Sequence, residues 1–332
     1  MPEPTNALDR TAEQTQFSGV VATLGAETDL VRAYGMANRS TGTPVTADTR
    51  FGMASGSKAM TAIVIASLVS DGTLTFETRA RELLGSDLPL IDDAVTVLQL
   101  LTHTSGIGDY LDEETWEPSD HVLSRSAHTY LTPSDFLADL DGHPQVAAPG
   151  EQCVYCNGGY AVLAVIAERA GGHDYYGLVR TRVLEPAGMA DSGFFRSDRL
   201  PERTALGYLG TDDDALTNVF HLPVMATGDG GMYTTAADTH RFWSAFLGGR
   251  IVDDAMVQEM LRPHATDADG GPIGLGFELT AADAGGWDAN LDGYDAGVSF
   301  ASRHVRSTGV TRVVLSNTSE GAWPMWEALL DL

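Results

Sequence analysis

The sequence predicts an α/β protein of the α+β kind, in which both ends of the chain supply strands and the middle supplies mostly helices. Strand-like patterns occur at residues 17–36 and return from about residue 274 onwards. Between them lie apolar stretches of helical length that end at glycines. We therefore expect one sheet domain made of residues 1–75 and 221–332, and a mainly helical insertion made of residues 76–220.

The individual elements follow from the same patterns. Residues 17–36, "FSGVVATLGAETDLVRAYGM", predict two strands joined by a polar hairpin. Residues 58–71, "KAMTAIVIASLVSD", predict a buried helix that Gly72 ends. Residues 158–172 and 234–249 predict two more helices that end at glycines. The last predicted elements are the strand segments "GLGFELT", "GVSFASR" and "TRVVLSN" and a closing helix, "GAWPMWEALLDL".

The charge of the chain argues against some classes of partner. The formal net charge is -26 at pH 7. Such a field repels phosphate, so we expect neither nucleic acid nor an anionic membrane surface as a partner. The first residues, "MPEPTNALDRTAEQTQ", lack the basic and apolar regions of a signal peptide, and no run of about 18 apolar residues occurs. We expect a cytoplasmic location, and the sequence leaves the oligomeric state open.

Lys58 is the only lysine in the chain, and it follows Ser55 by three residues in "FGMASGSKAM". Residues three apart share a helix face, so this hydroxyl and this amine can meet at the start of the apolar helix. A serine hydroxyl becomes a good nucleophile when a base takes its proton. A lysine can be that base in its neutral form, which burial and a helix N-terminus favour, whereas arginine stays protonated. Ser55 and Lys58 are therefore predicted to be nucleophile and base.

The segment "FGMASGSKAMTA" resembles the nucleophile segment of the serine β-lactamase and penicillin-binding-protein superfamily. The likeness is to its class C β-lactamase and carboxylesterase (family VIII-like) branch. "CVYCNGGY" is similar to the Y-x-N element of that branch, which assigns Tyr155 a proton relay beside Lys58 and Asn157 a hydrogen bond to substrate. The resemblance implies a β-lactamase/transpeptidase-like fold, with an antiparallel sheet flanked by helices and the active site between the two predicted domains.

The third element of the family, K-T-G or H-x-G on a strand that lines the site, is expected in "NLDGYDAGVSF". Aligned by its glycines, the chain has Leu291 where the family has lysine or histidine, followed by Gly293 and Tyr294. In the family that cation binds a substrate carboxylate, so carboxylate recognition is in question here. A shift of the alignment would give Tyr294 this role, and Arg303 and His304 are the other candidates.

The resemblance completes the set of predicted site residues. Leu291, Gly293 and Tyr294 join Asn157 as substrate-binding residues. The backbone amides of Ser55 and Tyr294 are the predicted oxyanion hole.

Further blocks resemble the same branch, namely "LLTHTSGIGDYLD", "LEPAGMADSGFF", "GDGGMYTTAAD" and "GLGF". In the first of them, His103 is expected to be structural and to hold the loop that ends at Gly106. Cys153 and Cys156 are expected to be small buried apolar side chains. Histidine and aspartate spacings match neither a zinc site nor an EF-hand, so we expect no metal and no cofactor.

These observations favour a serine hydrolase that works through an acyl-enzyme, most simply a carboxylesterase on small ester or amide substrates. Leu291 and the missing export signal make a β-lactamase or a D-amino-acid peptidase or amidase the second hypothesis. A third hypothesis is a sensor that keeps the penicillin-binding fold without catalysis.

Overall fold

The computed structural model of the protein describes residues 4–111, 122–282 and 285–332. A 3₁₀ turn, Ala54–Ser57, directly precedes the second helix. The α-helices are, in chain order, α1 (Pro4–Gln14), α2 (Lys58–Ser70), α3 (Ala80–Leu84), α4 (Val97–Leu101), α5 (Leu137–Leu140), α6 (Asn157–Gly171), α7 (Tyr175–Val179), α8 (Glu185–Ala187), α9 (Ala236–Leu247), α10 (Asp254–Met260) and α11 (Ala322–Leu330).

The strands form one large sheet and two small ribbons. They are β1 (Gly19–Leu24), β2 (Leu30–Tyr34), β3 (Met36–Asn38), β4 (Thr43–Pro44), β5 (Phe51–Gly52), β6 (Tyr233–Thr234), β7 (Ala265–Thr266), β8 (Pro272–Ile273), β9 (Glu278–Ala281), β10 (Trp287–Asp295), β11 (Val298–Val305) and β12 (Val310–Ser316). The large sheet has the order β2-β1-β12-β11-β10-β9-β8-β7, with antiparallel neighbours throughout. The described residues therefore form a mixed helical and antiparallel-sheet fold, which confirms the predicted fold class.

The two ends of the chain meet in this sheet. Strand β1 pairs with β12, so that Gly19 lies opposite Ser316 and Leu24 opposite Thr311. The predicted hairpin of residues 17–36 is β1 and β2, and the predicted closing helix is α11. The domain limits at residues 75 and 220 remain a prediction.

Helix α1 is absent from the sequence-based prediction. Leu8 and Ala12 are its buried apolar side chains, in a segment that is otherwise too polar to stand out as a buried helix. They pack with Met325 and Leu329 of α11 over one face of the sheet. Tertiary contact therefore stabilises a segment whose own helical tendency is weak.

Two buried helices run through the larger core on the other face of the sheet. The side chains of α2 are buried from Lys58 to Leu68, and those of α6 from Asn157 to Ala167. The two helices pack against each other. Their N-terminal ends are thereby fixed relative to one another, which matters because each end carries a predicted site residue. Within the described ranges, no helix has the length and apolar character needed to cross a membrane.

Strand β10 carries the predicted third element. It pairs with β9 along Trp287–Asn290 and with β11 along Asn290–Asp295. The expected strand near residues 290–300 is thus two strands, β10 and β11, with a turn at Gly297, whose φ is 69°. Beyond Asn290, the edge of β10 lies beside the 3₁₀ turn that precedes α2.

Candidate active site

Ser55 lies in the tight turn Ala54–Ser57 at the N-terminal end of α2. Ala54 has a φ of 42°, an uncommon backbone conformation for a residue with a Cβ. The Ser57 hydroxyl donates to the Ala54 carbonyl at 2.8 Å and accepts from the Met232 amide at 3.0 Å. These bonds fix the turn and present the Ser55 side chain at the end of the helix, as the sequence predicts.

Lys58 is buried, and its ammonium nitrogen has three hydrogen-bond acceptors. Nζ lies 2.9 Å from Ser55 Oγ, 2.7 Å from Asn157 Oδ1 and 2.6 Å from the carbonyl oxygen of Asp229. The amide and carbonyl oxygens can only accept, so they take two N–H bonds whatever the charge of the lysine. In the neutral amine, those two bonds use both N–H groups. The nitrogen lone pair is then directed at Ser55 Oγ.

Tyr155 reaches the same oxygen from the other side. Its phenol donates to Ser55 Oγ at 2.8 Å, and Lys58 Nζ lies 4.8 Å from the centre of its ring. The Tyr155 side chain is 43% exposed, so one flank of its ring faces the open part of the site.

Asn157 begins helix α6 and links that helix to Lys58. Its Nδ2 donates to the Leu111 carbonyl at 3.1 Å, which leaves Oδ1 for the lysine. The amides of Asn157 and Gly158 donate to Asp109 at 2.6 and 2.8 Å. Asp109 thus caps α6 and holds Asn157 against Lys58, while burial raises the pKa of its carboxyl.

Asp229 adds a second buried carboxyl beside Lys58. Its Oδ2 accepts the phenol proton of Tyr110 at 2.5 Å, and its carbonyl binds the lysine. Burial raises the pKa of the Asp229 carboxyl, with Lys58 opposing that shift, and burial with the nearby Asp229 charge raises the pKa of Tyr110 well above its usual value. Sequence reasoning did not name Asp109, Tyr110 and Asp229, although they lie in "LLTHTSGIGDYLD" and "GDGGMYTTAAD", two blocks that resemble the family.

The third element lies next to the nucleophile. A Cβ on Gly293 would lie 2.9 Å from the amide nitrogen of Ser55, too close for any side chain. Leu291 is buried and lines the small cavity around Ser55 and Lys58, and Tyr294 lines the larger cavities that reach Ser55. The structure therefore brings Ser55, Gly293 and Tyr294 together at the edge of β10.

The other candidates for a cation at this position lie elsewhere. Arg303 lies opposite Asn290 on β11, and its guanidinium is 3.9 Å from Asp288. His304 is buried, with its Nδ1 2.8 Å from Thr311 Oγ1. Neither is among the described residues that line the cavities around Ser55.

Two carboxylates lie at the same edge of β10. Glu278, opposite Asn290 on β9, and Asp292 both line the crevice that contains Ser55 and Tyr155. Desolvation, and then the nearby charge of Asp292, raise the pKa of Glu278 to about 7. Ionisation of Glu278 is therefore disfavoured, and the crevice gains negative charge as the pH rises through about 7. Isolated acidic residues have no distinctive spacing, so sequence patterns did not identify them.

Two cavities that differ in size and lining reach Ser55. One is a pocket of about 100 Å³ with mainly apolar walls, which include Tyr110, Phe136, Phe195 and Tyr233. The other is a wider crevice of about 680 Å³, and it contains Tyr155, Asp292 and Glu278. Tyr155 lines the crevice and is not among the described residues of the apolar pocket.

The C-x-x-C segment is only partly as expected. Cys156 is buried, and its Sγ accepts from the Gly159 amide at the start of α6, but Cys153 is half-buried. Both thiols are free. Burial raises the pKa of both, so they are poor thiolates and their contribution is to packing and helix capping.

Several known proteins are similar to this chain in sequence or in fold. The sequence profile of the β-lactamase family matches residues 5–328. Penicillin-binding protein 4* of Bacillus subtilis (strain 168) is 29% identical over 280 residues, which are 80% of this chain and 60% of that protein. Esterase EstB of Burkholderia gladioli is 32% identical over 209 residues, 60% of this chain and 52% of the esterase. The chain thus spans less than two thirds of the length of either relative.

Among solved structures, a penicillin-binding protein from Bacillus halodurans superposes with a TM-score of 0.89 at 33% identity. The match covers 98% of this chain and 99% of that one. Together with the family profile, which spans nearly the whole sequence, this similarity means that the chain is a member of the β-lactamase family.

Proposed function

We propose that the protein is a serine hydrolase that cleaves small uncharged esters through an acyl-enzyme on Ser55. One observation carries the proposal: Ser55 Oγ lies 2.9 Å from Lys58 Nζ and 2.8 Å from the phenol of Tyr155. A hydroxyl between an amine and a phenol has both a base to take its proton and an acid to supply one.

The proposed reaction begins when Ser55 Oγ attacks the ester carbonyl and Lys58 takes the hydroxyl proton. As the bond from the carbonyl carbon to the leaving oxygen breaks, Tyr155 gives its proton to that oxygen, and the alcohol departs. Lys58 carries the positive charge that balances the phenolate. Water, activated by the same pair, then attacks the acyl-enzyme and releases the acid, and Ser55 regains its proton.

The oxyanion that forms on the carbonyl oxygen needs donors that are already in place. We assign this role to the amides of Ser55 and Tyr294. The support is the close approach of β10 to the nucleophile, which the absence of a side chain at Gly293 permits.

Each of the two cavities holds one part of the substrate in this proposal. The leaving oxygen must receive a proton from Tyr155, so the leaving group belongs in the crevice that Tyr155 lines. The acyl group then occupies the smaller pocket, whose aromatic walls favour an apolar chain.

An uncharged ester suits this site better than a β-lactam or a peptide with a free carboxylate. Leu291 offers neither a charge nor a hydrogen-bond donor, and Glu278 and Asp292 add negative charge to the crevice. A carboxylate placed there without a partner costs several kcal/mol, in the range of about 2–5, because it is desolvated and repelled.

The test combines a chemical probe with three substrates. A fluorophosphonate should label Ser55, located by peptide mass, and Ser55→Ala should remain unlabelled. We expect kcat/KM for p-nitrophenyl butyrate to exceed the values for nitrocefin and for a D-Ala-D-Ala peptide by about 10²-fold or more, as the estimated carboxylate cost implies. No labelling and no turnover would support the non-catalytic sensor, and faster hydrolysis of nitrocefin would support a β-lactamase.

A further inference from the structure

His103 forms the wall behind Tyr155. The two rings stack, with their centres 4.7 Å apart and their planes 29° from parallel. The ring of Tyr160 also lies against the imidazole, with ring centres 5.1 Å apart, so His103 contacts two phenol rings. The ring of Tyr155 is therefore supported on one flank although much of it is exposed.

Two backbone bonds from the same residue bracket Tyr155 along the chain. The Val154 amide donates to the His103 carbonyl at 2.9 Å, and the Cys156 amide donates to His103 Nδ1 at 3.1 Å. His103 thus holds the ring of Tyr155 and also the backbone on both sides of it, at Val154 and Cys156. This segment has no regular secondary structure, so these contacts take the place of a strand or helix in fixing it.

The imidazole works in its neutral form. Because Nδ1 accepts a bond from the Cys156 amide, the ring proton lies on Nε2. Burial, followed by the nearby charge of Lys58, lowers the pKa of His103 to about 3. His103 itself has a φ of 57°, so its backbone adopts an uncommon conformation in the position from which it reaches Tyr155.

We infer that His103 is a positioning residue for proton transfer, which holds the phenol of Tyr155 on line with Ser55 Oγ and the leaving oxygen. This inference rests on the proposed function and adds a residue to it. A general acid must lie within hydrogen-bond reach of the atom it protonates, so a small displacement of the phenol weakens that step most.

The test compares two esters of one acid. A p-nitrophenolate leaves without a proton, whereas an ethoxide needs one from Tyr155. We expect His103→Ala to lower kcat/KM, which reports the acylation step, by about 10²-fold for ethyl butyrate and by about tenfold for p-nitrophenyl butyrate. The ratio of the two rates, measured on one preparation, does not depend on the fraction of folded enzyme.

Two further variants separate the contacts of His103. His103→Asn retains an acceptor for the Cys156 amide and tolerates a positive φ, but it lacks the ring. His103→Phe retains the ring and loses the acceptor. Each should give a rate ratio between those of the wild type and His103→Ala.

Gln145→Ala is the matched control. Gln145 Nε2 donates to the carbonyls of Ser105 and Ala147 and so holds the loop that follows His103, through bonds that do not involve Tyr155. Its removal should lower thermal stability and leave the ratio unchanged. If His103→Ala keeps the wild-type ratio, or if Gln145→Ala changes the ratio equally, the inference about His103 is wrong and the proposed function still stands. A wild-type protein that hydrolyses neither ester would overturn the proposed function, and the inference with it.

Discussion

The two walls of the candidate active site differ in how closely they follow the family. The nucleophile wall, made of Ser55, Lys58, Tyr155 and Asn157, has each residue that the motifs require, within 2.6–2.9 Å of one another or of the backbone. The strand wall, made of Leu291–Asp295 of β10, lies beside the turn that carries Ser55, and it has Leu291 at the position predicted for the family's cation.

This difference separates the chemistry from the choice of substrate. Proton transfer from Ser55 requires an amine and a phenol at fixed distances, and few other side chains would serve. Recognition of a substrate requires only that the wall match its shape and charge. Substitutions in the strand wall or at the neighbouring Glu278 can therefore change the charge that faces the substrate while the nucleophile wall stays the same.

The largest expected effect is on the nucleophile wall. Ser55→Ala should lower kcat on an activated ester by a factor on the order of 10⁴ or more, because no other nucleophile replaces Ser55. Ser57→Ala is the matched control in the same turn. Its hydroxyl binds Ala54 and Met232, so its loss should reduce stability but retain turnover within about tenfold. Near wild-type hydrolysis by a folded Ser55→Ala protein would contradict the assignment.

The next-largest effect is expected at Lys58, and it shows whether this lysine acts as a base or as a fixed charge. Lys58→Arg and Lys58→Ala should both lower kcat by about 10²–10⁴-fold, since a guanidinium keeps the charge but does not accept a proton. Circular dichroism and thermal melting check that each variant is folded. Recovery of most activity in Lys58→Arg would mean that the charge alone matters and that Tyr155 is the base.

A smaller effect is expected on the strand wall. Leu291→His should raise the ratio of kcat/KM for nitrocefin over p-nitrophenyl butyrate by about tenfold, because an imidazole can bind the β-lactam carboxylate. Leu291→Met, which keeps the apolar character, is the control and should leave the ratio unchanged. If the ratio does not move in folded Leu291→His, Tyr294 becomes the residue that faces that part of the substrate.

The smallest effect concerns the charge of Glu278, which lies on β9 beside the strand wall. The pKa of Glu278 is raised from 4.5 to about 7, so the folded protein disfavours the ionised form. Its cost to stability is absent well below pH 4.5, grows from there to about pH 7 and is constant above. Glu278→Gln should therefore raise the free energy of unfolding at about pH 8.5 by no more than about 1 kcal/mol, since this carboxyl is only partly desolvated and the solvent that it still contacts screens its charge.

At about pH 5 the same substitution should change stability much less. Thermal melting at the two pH values measures the difference. The control is Glu27→Gln in the exposed hairpin between β1 and β2, which removes one carboxyl that does not line the crevice. A stabilisation that is equal at both pH values would show that the charge of Glu278 is not its cause.

The sequence by itself determined the fold class and predicted the candidate catalytic residues. Alternating and apolar patterns locate β1, β2, α2, α6 and α11 because secondary structure has a period that one segment can display. Ser55 and Lys58 are one helical turn apart, and Tyr155 and Asn157 lie in a short motif of fixed spacing. Local geometry brings the members of each motif together, so their spacing is visible in the chain.

Only the tertiary structure decided which residues surround that chemistry. His103 stacks on Tyr155 from a loop 52 positions earlier in the chain, and Glu278 meets Asp292 across two strands. Such contacts depend on how distant segments pack, and neither a single histidine nor a single carboxylate has a spacing that would reveal its partner. Helix α1 is a similar case, since its buried side chains pack on α11, a partner that its own sequence does not reveal.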